Sequence, residues 1–257
     1  MLGILKNIFG KTKQDAPRLA RPRLTFDQAP SVIYAIGDIH GCFDQLKALE
    51  AKIIADAADI EGEKWIICLG DYIDRGPASA AVLDHLSSKA PEGFRRFCLA
   101  GNHEEAFLDF LNSEGKRSGW LSFGGVDTLA SYGLYIEGKD KRSLPMAIQS
   151  YMPNEHISFL ESLPEMISMP GYCFVHAGID PKLSLETQTS QVLLWSRPQE
   201  FDWEAATLDF VVTHGHTPVT HVEINKNRIN VDLGAYTRGV LGAVKITTGG
   251  FTVLLSD

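Results

Sequence analysis

From Val32 onward the chain alternates short uninterrupted apolar runs with stretches in which apolar residues recur every three or four positions. Val32-Ile33-Tyr34-Ala35-Ile36, Trp65-Ile66-Ile67-Cys68-Leu69 and Arg96-Phe97-Cys98-Leu99-Ala100 have the length and the β-branched or aromatic content of strands. After each comes a helical face: Leu46, Leu49, Ile53 and Ile54, then Ala80, Val82, Leu83 and Leu86, then Phe107, Leu108 and Leu111. Pro77 suits the first turn of the second helix. Runs that are apolar throughout are buried on both faces, and strands joined by helices lie parallel, so this half predicts a mostly parallel sheet covered by helices.

From about 112 to 170 the pattern changes. Gly119-Trp120 and Gly124-Gly125 suggest a loop, while Ile157, Leu160 and Leu163 predict a helix ending near Pro164, so the stretch reads as a helical insertion that covers or flanks the sheet. Tyr172-Cys173-Phe174-Val175 and Phe210-Val211-Val212 then predict strands, and the end is β-rich, with Glu223-Ile224, Arg228 to Val231, Val240 to Ile246 and Phe251 to Leu255 set between turn residues. A second sheet packed on the first is expected. The expected domains are therefore a basic, flexible tail over 1–30 and one catalytic domain over 31–257.

Composition adds little until charge is divided along the chain. The 44% apolar and 22% charged residues are ordinary for a globular protein. Residues 1–24, however, carry six basic residues against Asp15 alone, which leaves the other 233 at a net charge of −13. An acidic body does not suggest a nucleic-acid platform. Leu2, Leu5, Ile8 and Phe9 lie at helical spacing among lysines, so residues 1–13 could touch an anionic membrane surface; the alternative is a frayed terminus. No run reaches the ~20 apolar residues of a membrane span. The four scattered cysteines suit a reduced cytoplasm.

Candidate chemistry collects where strand-like runs end. Gly37-Asp38-Ile39-His40-Gly41, Gly70-Asp71-Tyr72-Ile73-Asp74-Arg75-Gly76 and Gly101-Asn102-His103-Glu104 each place oxygen or imidazole ligands just after a glycine, and in parallel sheets such groups gather beyond the carboxyl ends of strands. A helix cap alone would explain Asp38 and Asp71, but not His40, Arg75 and His103. Val175-His176-Ala177-Gly178 and His214-Gly215-His216-Thr217-Pro218 repeat the placement. Carboxylates, an amide oxygen and imidazoles suit divalent manganese, iron or zinc. Two such ions about 3.5–4 Å apart would clamp a phosphoryl group for in-line attack.

These five motifs, in this order, resemble the phosphoprotein phosphatase family of metallophosphoesterases, in particular its bacterial and phage serine/threonine branch, from about Val32 to the end of the chain. The resemblance implies an α/β calcineurin-like fold in which two packed mixed β-sheets are flanked by helices. It also implies two divalent ions, with Asp38 and His40 on one, Asp71 bridging, and Asn102, His176 and His216 on the other. His103 becomes the general acid, oriented by Asp74, and Arg75 with Arg197 binds phosphate. Spacing alone leaves His214 and His216 open; the family pattern selects His216. Of the remaining residues, Glu104 and Glu105 are expected to favour the start of their helix through its dipole, and His85, His156 and His221 to be structural or surface groups.

Hydrolysis of phosphoserine and phosphothreonine in proteins by a metal-bridging hydroxide is thus the expected reaction. Symmetrical cleavage of diadenosine tetraphosphate is the alternative, and a non-catalytic scaffold of the same fold a third reading. The segment Gly119–Gly133, with Trp120, Gly124-Gly125, Thr128-Leu129 and Tyr132, occurs in both kinds of enzyme, whereas Asp74-Arg75-Gly76 and Asn102-His103-Glu104 favour the protein phosphatases.

Overall fold

The computed structural model describes residues 21–113, 119–138, 140 and 143–257. Strand β2 (Val32–Ile36) shows how the sequence builds the layers. Val32, Tyr34 and Ile36 point to one face and Ile33 and Ala35 to the other, as the two-residue strand period requires, and all five are buried. The first set packs under helices α1 (Phe43–Asp56), α2 (Ser79–Ser87) and α3 (Asn102–Asn112). The second set meets Ile167, Phe174 and Ile229 of another sheet.

The first sheet has the order β11-β10-β2-β3-β4, with β3 (Lys64–Cys68) and β4 (Phe94–Cys98) parallel to β2, and β10 (Gly242–Thr247) and β11 (Gly250–Leu255) closing it antiparallel. The second has the order β1-β5-β6-β7-β9-β8, from β1 (Arg23–Thr25), β5 (Met166–Met169), β6 (Tyr172–Val175), β7 (Val211–His214), β8 (Glu223–Ile224) and β9 (Arg228–Asn230). Its outer face buries Met166, Cys173, Val175 and Val212 against Leu193 of helix α7 (Ser190–Trp195). The result is the expected sandwich of two mixed sheets between helical layers. Among the described residues no helix is long and apolar enough to cross a membrane.

Four expectations change. The tail placed at 1–30 overlaps the fold, because β1 pairs with β5 and Phe26 stacks edge-on against Trp65, 4.6 Å between centroids; the amphipathic segment 1–13 lies outside the described residues. The insertion is helical, with α4 (Val126–Ser131), α5 (Leu144–Tyr151) and α6 (Asn154–Ser162), but it ends before β5, a strand too short to stand out in the pattern. Pro77 precedes α2 instead of starting it. On α1, Ile54 is exposed and Glu50 is buried in its place, because Glu50 pairs with Arg96 at 3.2 Å and His85 at 2.7 Å.

β1 is fixed by Arg23, whose Nε meets Glu165 at 2.8 Å while its other nitrogens donate to the carbonyls of Leu185, Glu186 and Gln188. Glu165 is almost fully buried and its second oxygen has no partner. Arg23→Ala should therefore destabilise the fold by about 2–3 kcal/mol, since it strands a buried charge. Urea unfolding measures this; a change within experimental error would mean that β1 is dispensable.

Candidate metal centre

Five loops converge from both sheets. The first sheet supplies those after β2, β3 and β4, and the second those after β6 and β7. They are locked to one another through the backbone: Ile39 and His40 donate N–H to Asp71 O, Gly41 to Tyr72 O, and Gly215 to His176 O. Among the described residues the non-glycine positions with positive φ are His40 (44°), Asp71 (53°), Asp74 (73°), Arg75 (69°) and His216 (66°). All five belong to these loops. Left-handed backbone costs an L-residue roughly 1–2 kcal/mol, so strain is concentrated on the residues that carry functional side chains.

Asp71 is the hub. Its Oδ2 lies 3.5 Å from His40 Nε2 and 3.9 Å from His103 Nε2, and its Oδ1 lies 3.4 Å from His176 Nε2. It belongs to both sets of clustered donor atoms that could hold an ion, His40 with Asp71 and His103, and Asp71 with His176 and His216. His40 and His176 donate Nδ1–H to the carbonyls of Ile73 and Leu69 at 2.8 and 2.9 Å, which leaves Nε2 of each unprotonated and able to accept. His176 Nε2 then faces Asn102 Oδ1 at 2.9 Å, acceptor against acceptor, and His216 Nδ1 stands 2.8 Å from the same oxygen. A cation would satisfy such a set.

The electrostatics agree. Burial holds the His40 and His216 imidazoles down to about 3 and depresses His176, which favours the neutral form of all three. Burial also pushes Asp38 well above the carboxylate range, and the charges of Asp232 and Asp71 push it further. Asp38 is held by the His216 N–H, 3.0 and 3.1 Å from its two oxygens. Gly215 permits this approach, since a Cβ there would lie 2.0 Å from Asp38 Oδ1.

His103 differs from the other imidazoles in its partner. Its Nδ1 donates to a carboxylate, Asp74 Oδ2, at 2.6 Å. Burial would depress this imidazole, but Asp71 and Asp74 outweigh it and hold the group above its usual value. Arg75 Nη1 lies 2.8 Å from His40 Nε2, and its guanidinium stacks 4.8 Å from the centroid of Tyr236. Arg197 stands exposed at the rim, its Nη1 3.3 Å from Thr217 Oγ1 beside His216.

The fold thus gathers Asp38, His40, Asp71, Asp74, Arg75, Asn102, His103, His176 and His216, with Arg197 at the edge. His214 is excluded: it is buried, and its two ring nitrogens meet Gly215 O and the Arg228 guanidinium. Two buried carboxylates escaped the sequence reading. Glu104 does more than favour its helix, because it accepts N–H bonds from Gly101 at 2.8 Å, Asp71 at 2.9 Å and Tyr72 at 2.8 Å, clamping the β3 loop to the β4 loop. Its three-residue spacing from Gly101 signals the first of these bonds only. Asp232, pushed up to about 6 chiefly by burial, lies close enough to raise Asp38; a carboxylate between Val231 and Leu233 was the available signal.

A two-sheet sandwich whose loops converge carboxylate, amide and imidazole donors defines a metallophosphoesterase. The chain belongs to the calcineurin-like phosphoesterase family, whose model matches residues 31–239. It is 26% identical over 218 residues to the asymmetrical bis(5'-nucleosyl)-tetraphosphatase PrpE of Bacillus velezensis, covering 77% of this chain and 82% of that protein. It is 30% identical over 156 residues to the symmetrical bis(5'-nucleosyl)-tetraphosphatase of Serratia proteamaculans, covering 60% of this chain and 45% of that one. A cold-active protein-tyrosine phosphatase from a psychrophilic Shewanella species shares the fold, with TM-score 0.64, 18% identity and coverage of 96% and 84%.

These relatives overturn the expectation of a serine/threonine protein phosphatase. The motifs that favoured it, around Asp74-Arg75 and Asn102-His103, belong to the shared loops of the fold and do not by themselves distinguish one phosphate ester from another.

Glu104→Gln should weaken divalent-ion affinity about 10–100-fold, as loss of a residue supporting a ligand does, because an amide cannot accept every N–H that the carboxylate holds. Competition with a chromogenic chelator measures it; unchanged affinity would mean that the clamp does not shape the site.

Proposed function

We propose that the chain hydrolyses dinucleoside polyphosphates at a centre of two divalent ions, with manganese as the native metal. The observation that carries this reading is the agreement between a donor set suited to phosphoanhydride hydrolysis and the names of relatives aligned over most of the chain. Asp38, His40 and Asp71 would hold one ion, and Asp71, Asn102, His176 and His216 the other. Such ions, when bound, supply Lewis acidity and bring the pKa of water toward neutrality.

The chain's own groups do the rest. His103, held toward its charged form by Asp71 and Asp74 and oriented by its bond to Asp74, would donate from Nε2 to the departing phosphate oxygen. His40 and His176, whose Nδ1 atoms meet the carbonyls of Ile73 and Leu69, would stay neutral and serve as ligands, whereas His103, whose Nδ1 meets a carboxylate, serves as the acid. Arg75 and Arg197 present planar forks to phosphoryl oxygens, and the exposed Arg197 is placed for a phosphate farther along the chain of the substrate.

With manganese supplied, kcat/KM should be at least about tenfold higher on diadenosine tetraphosphate than on p-nitrophenyl phosphate or a phosphoserine peptide, a margin of about 1.4 kcal/mol in transition-state binding. Chromatography of the products distinguishes two ADP from AMP plus ATP. A higher value on the peptide would sink the reading. Asp71→Asn should lower metal content and turnover together, whereas His214→Ala should leave metal content unchanged; equal metal loss in both would show that the ligand set is misassigned.

A further inference from the structure

The segment Gly119–Gly133 has had no role so far, and the structure places it against both Asp74 and His103, with Phe123 edge-on to the His103 ring at 4.9 Å between centroids. Residues Leu121–Gly125 form a kink between two helical stretches, with Phe123 and Gly124 in non-helical conformations. Just before it, Trp120 is buried between Phe107 and Phe110, with ring centroids 4.9 and 5.2 Å away, so its indole has a fixed direction. That direction puts Nε1 2.9 Å from Asp74 Oδ2 and 3.1 Å from Oδ1. Just after it, the Thr128 hydroxyl donates to Asp74 Oδ1 at 2.6 Å and accepts the backbone N–H of Asp74 at 2.8 Å.

The same segment supports the backbone. Asp74 and Arg75 are consecutive left-handed residues, and the next N–H, that of Arg75, donates to Gly124 O at 3.3 Å. Gly124 itself has φ 121°, and a Cβ there would lie 2.6 Å from Arg75 N and 2.9 Å from Asp74 Cβ. Both strained amides are therefore held by the insertion, and the carboxylate between them receives two of its three side-chain donors from it. The third donor is His103.

We propose that Trp120 and Thr128 are positioning residues for the proton donor, fixing the Asp74 carboxylate so that His103 presents its Nε2–H to the leaving oxygen. Resting on the acid role given to His103, the proposal makes the insertion part of the proton-transfer apparatus. Without the two donors Asp74 would rotate, and the bond that orients His103 would lengthen.

The decisive comparison uses two aryl esters. Phenolate leaves poorly without a proton, whereas p-nitrophenolate leaves well, so a loss of acid catalysis falls on phenyl phosphate. Thr128→Val keeps the shape and removes the hydroxyl; Thr128→Ser keeps the hydroxyl; Trp120→Phe removes the indole N–H. The expected result is that kcat on phenyl phosphate falls about tenfold more than kcat on p-nitrophenyl phosphate in Thr128→Val and Trp120→Phe, with KM changed little, and that Thr128→Ser restores it. In the metal-free protein, the deshielded His103 Nδ1 proton of the short bond to Asp74 should move upfield in the first two variants and stay in place in Thr128→Ser.

His103→Asn provides the reference. If it is selective for phenyl phosphate while the Thr128 and Trp120 variants slow both esters equally and leave the proton resonance unmoved, the positioning proposal is overturned and the acid reading stands. If His103→Asn itself slows both esters equally, the acid reading fails and takes the proposal with it. Should Thr128→Val prove unfolded by its melting curve, Trp120→Phe decides by the same criteria.

Discussion

Asp38, Asp71 and Asp232 are buried within reach of one another's charge, and a chain that buries carboxylates in this way has to hold them mechanically. The means are visible in the backbone. Among the described residues five that bear side chains adopt left-handed φ, each at roughly 1–2 kcal/mol, and N–H groups of these loops are taken up by groups from other segments: Glu104 receives those of Asp71 and Tyr72, and Thr128 that of Asp74. The strain of one is offset by hydrogen bonds from the next, so the five loops form one rigid unit resting on two sheets.

Sequence made the inner part of this unit legible because its determinants are local. A continuous apolar run such as Val32–Ile36 can only be a doubly buried strand in a layered fold, and a ligand just after a glycine at its end falls at a strand's carboxyl edge. What supports the ligands was hidden because its determinants are distant in the chain. Glu104 looks like any acidic residue at the start of a helix until the β3 loop is folded against it. Trp120 reads as an apolar residue near a loop, and nothing nearby reveals that its indole N–H reaches back 46 positions to Asp74. Strand β1 escaped for another reason: Arg-Leu-Thr is too short for a period to show, and what holds it is an arginine contacting Glu165 and three carbonyls.

The change in expected substrate has the same physical origin. Groups that contact the reacting phosphorus are set by the chemistry of the phosphoryl group, which a protein ester and a dinucleotide share. Specificity is a difference of affinities, built from contacts to the rest of the substrate. On this chain the rim carries Arg197, Thr217 and Tyr236, partly exposed side chains set in short motifs.

The donor atoms are divided between the sheets: Asp38, Asp71 and Asn102 extend from one, His176 and His216 from the other, and the His176 bond to Leu69 O crosses between them. An ion seated there is a cross-link as well as a cofactor. Its binding free energy enters the unfolding equilibrium, and each tenfold rise in free ion above its dissociation constant adds about 1.4 kcal/mol to the folded state. Scarcity of the ion would therefore loosen the sandwich along its central seam and expose the chain to proteases, coupling the lifetime of the protein to the supply of the element it works with.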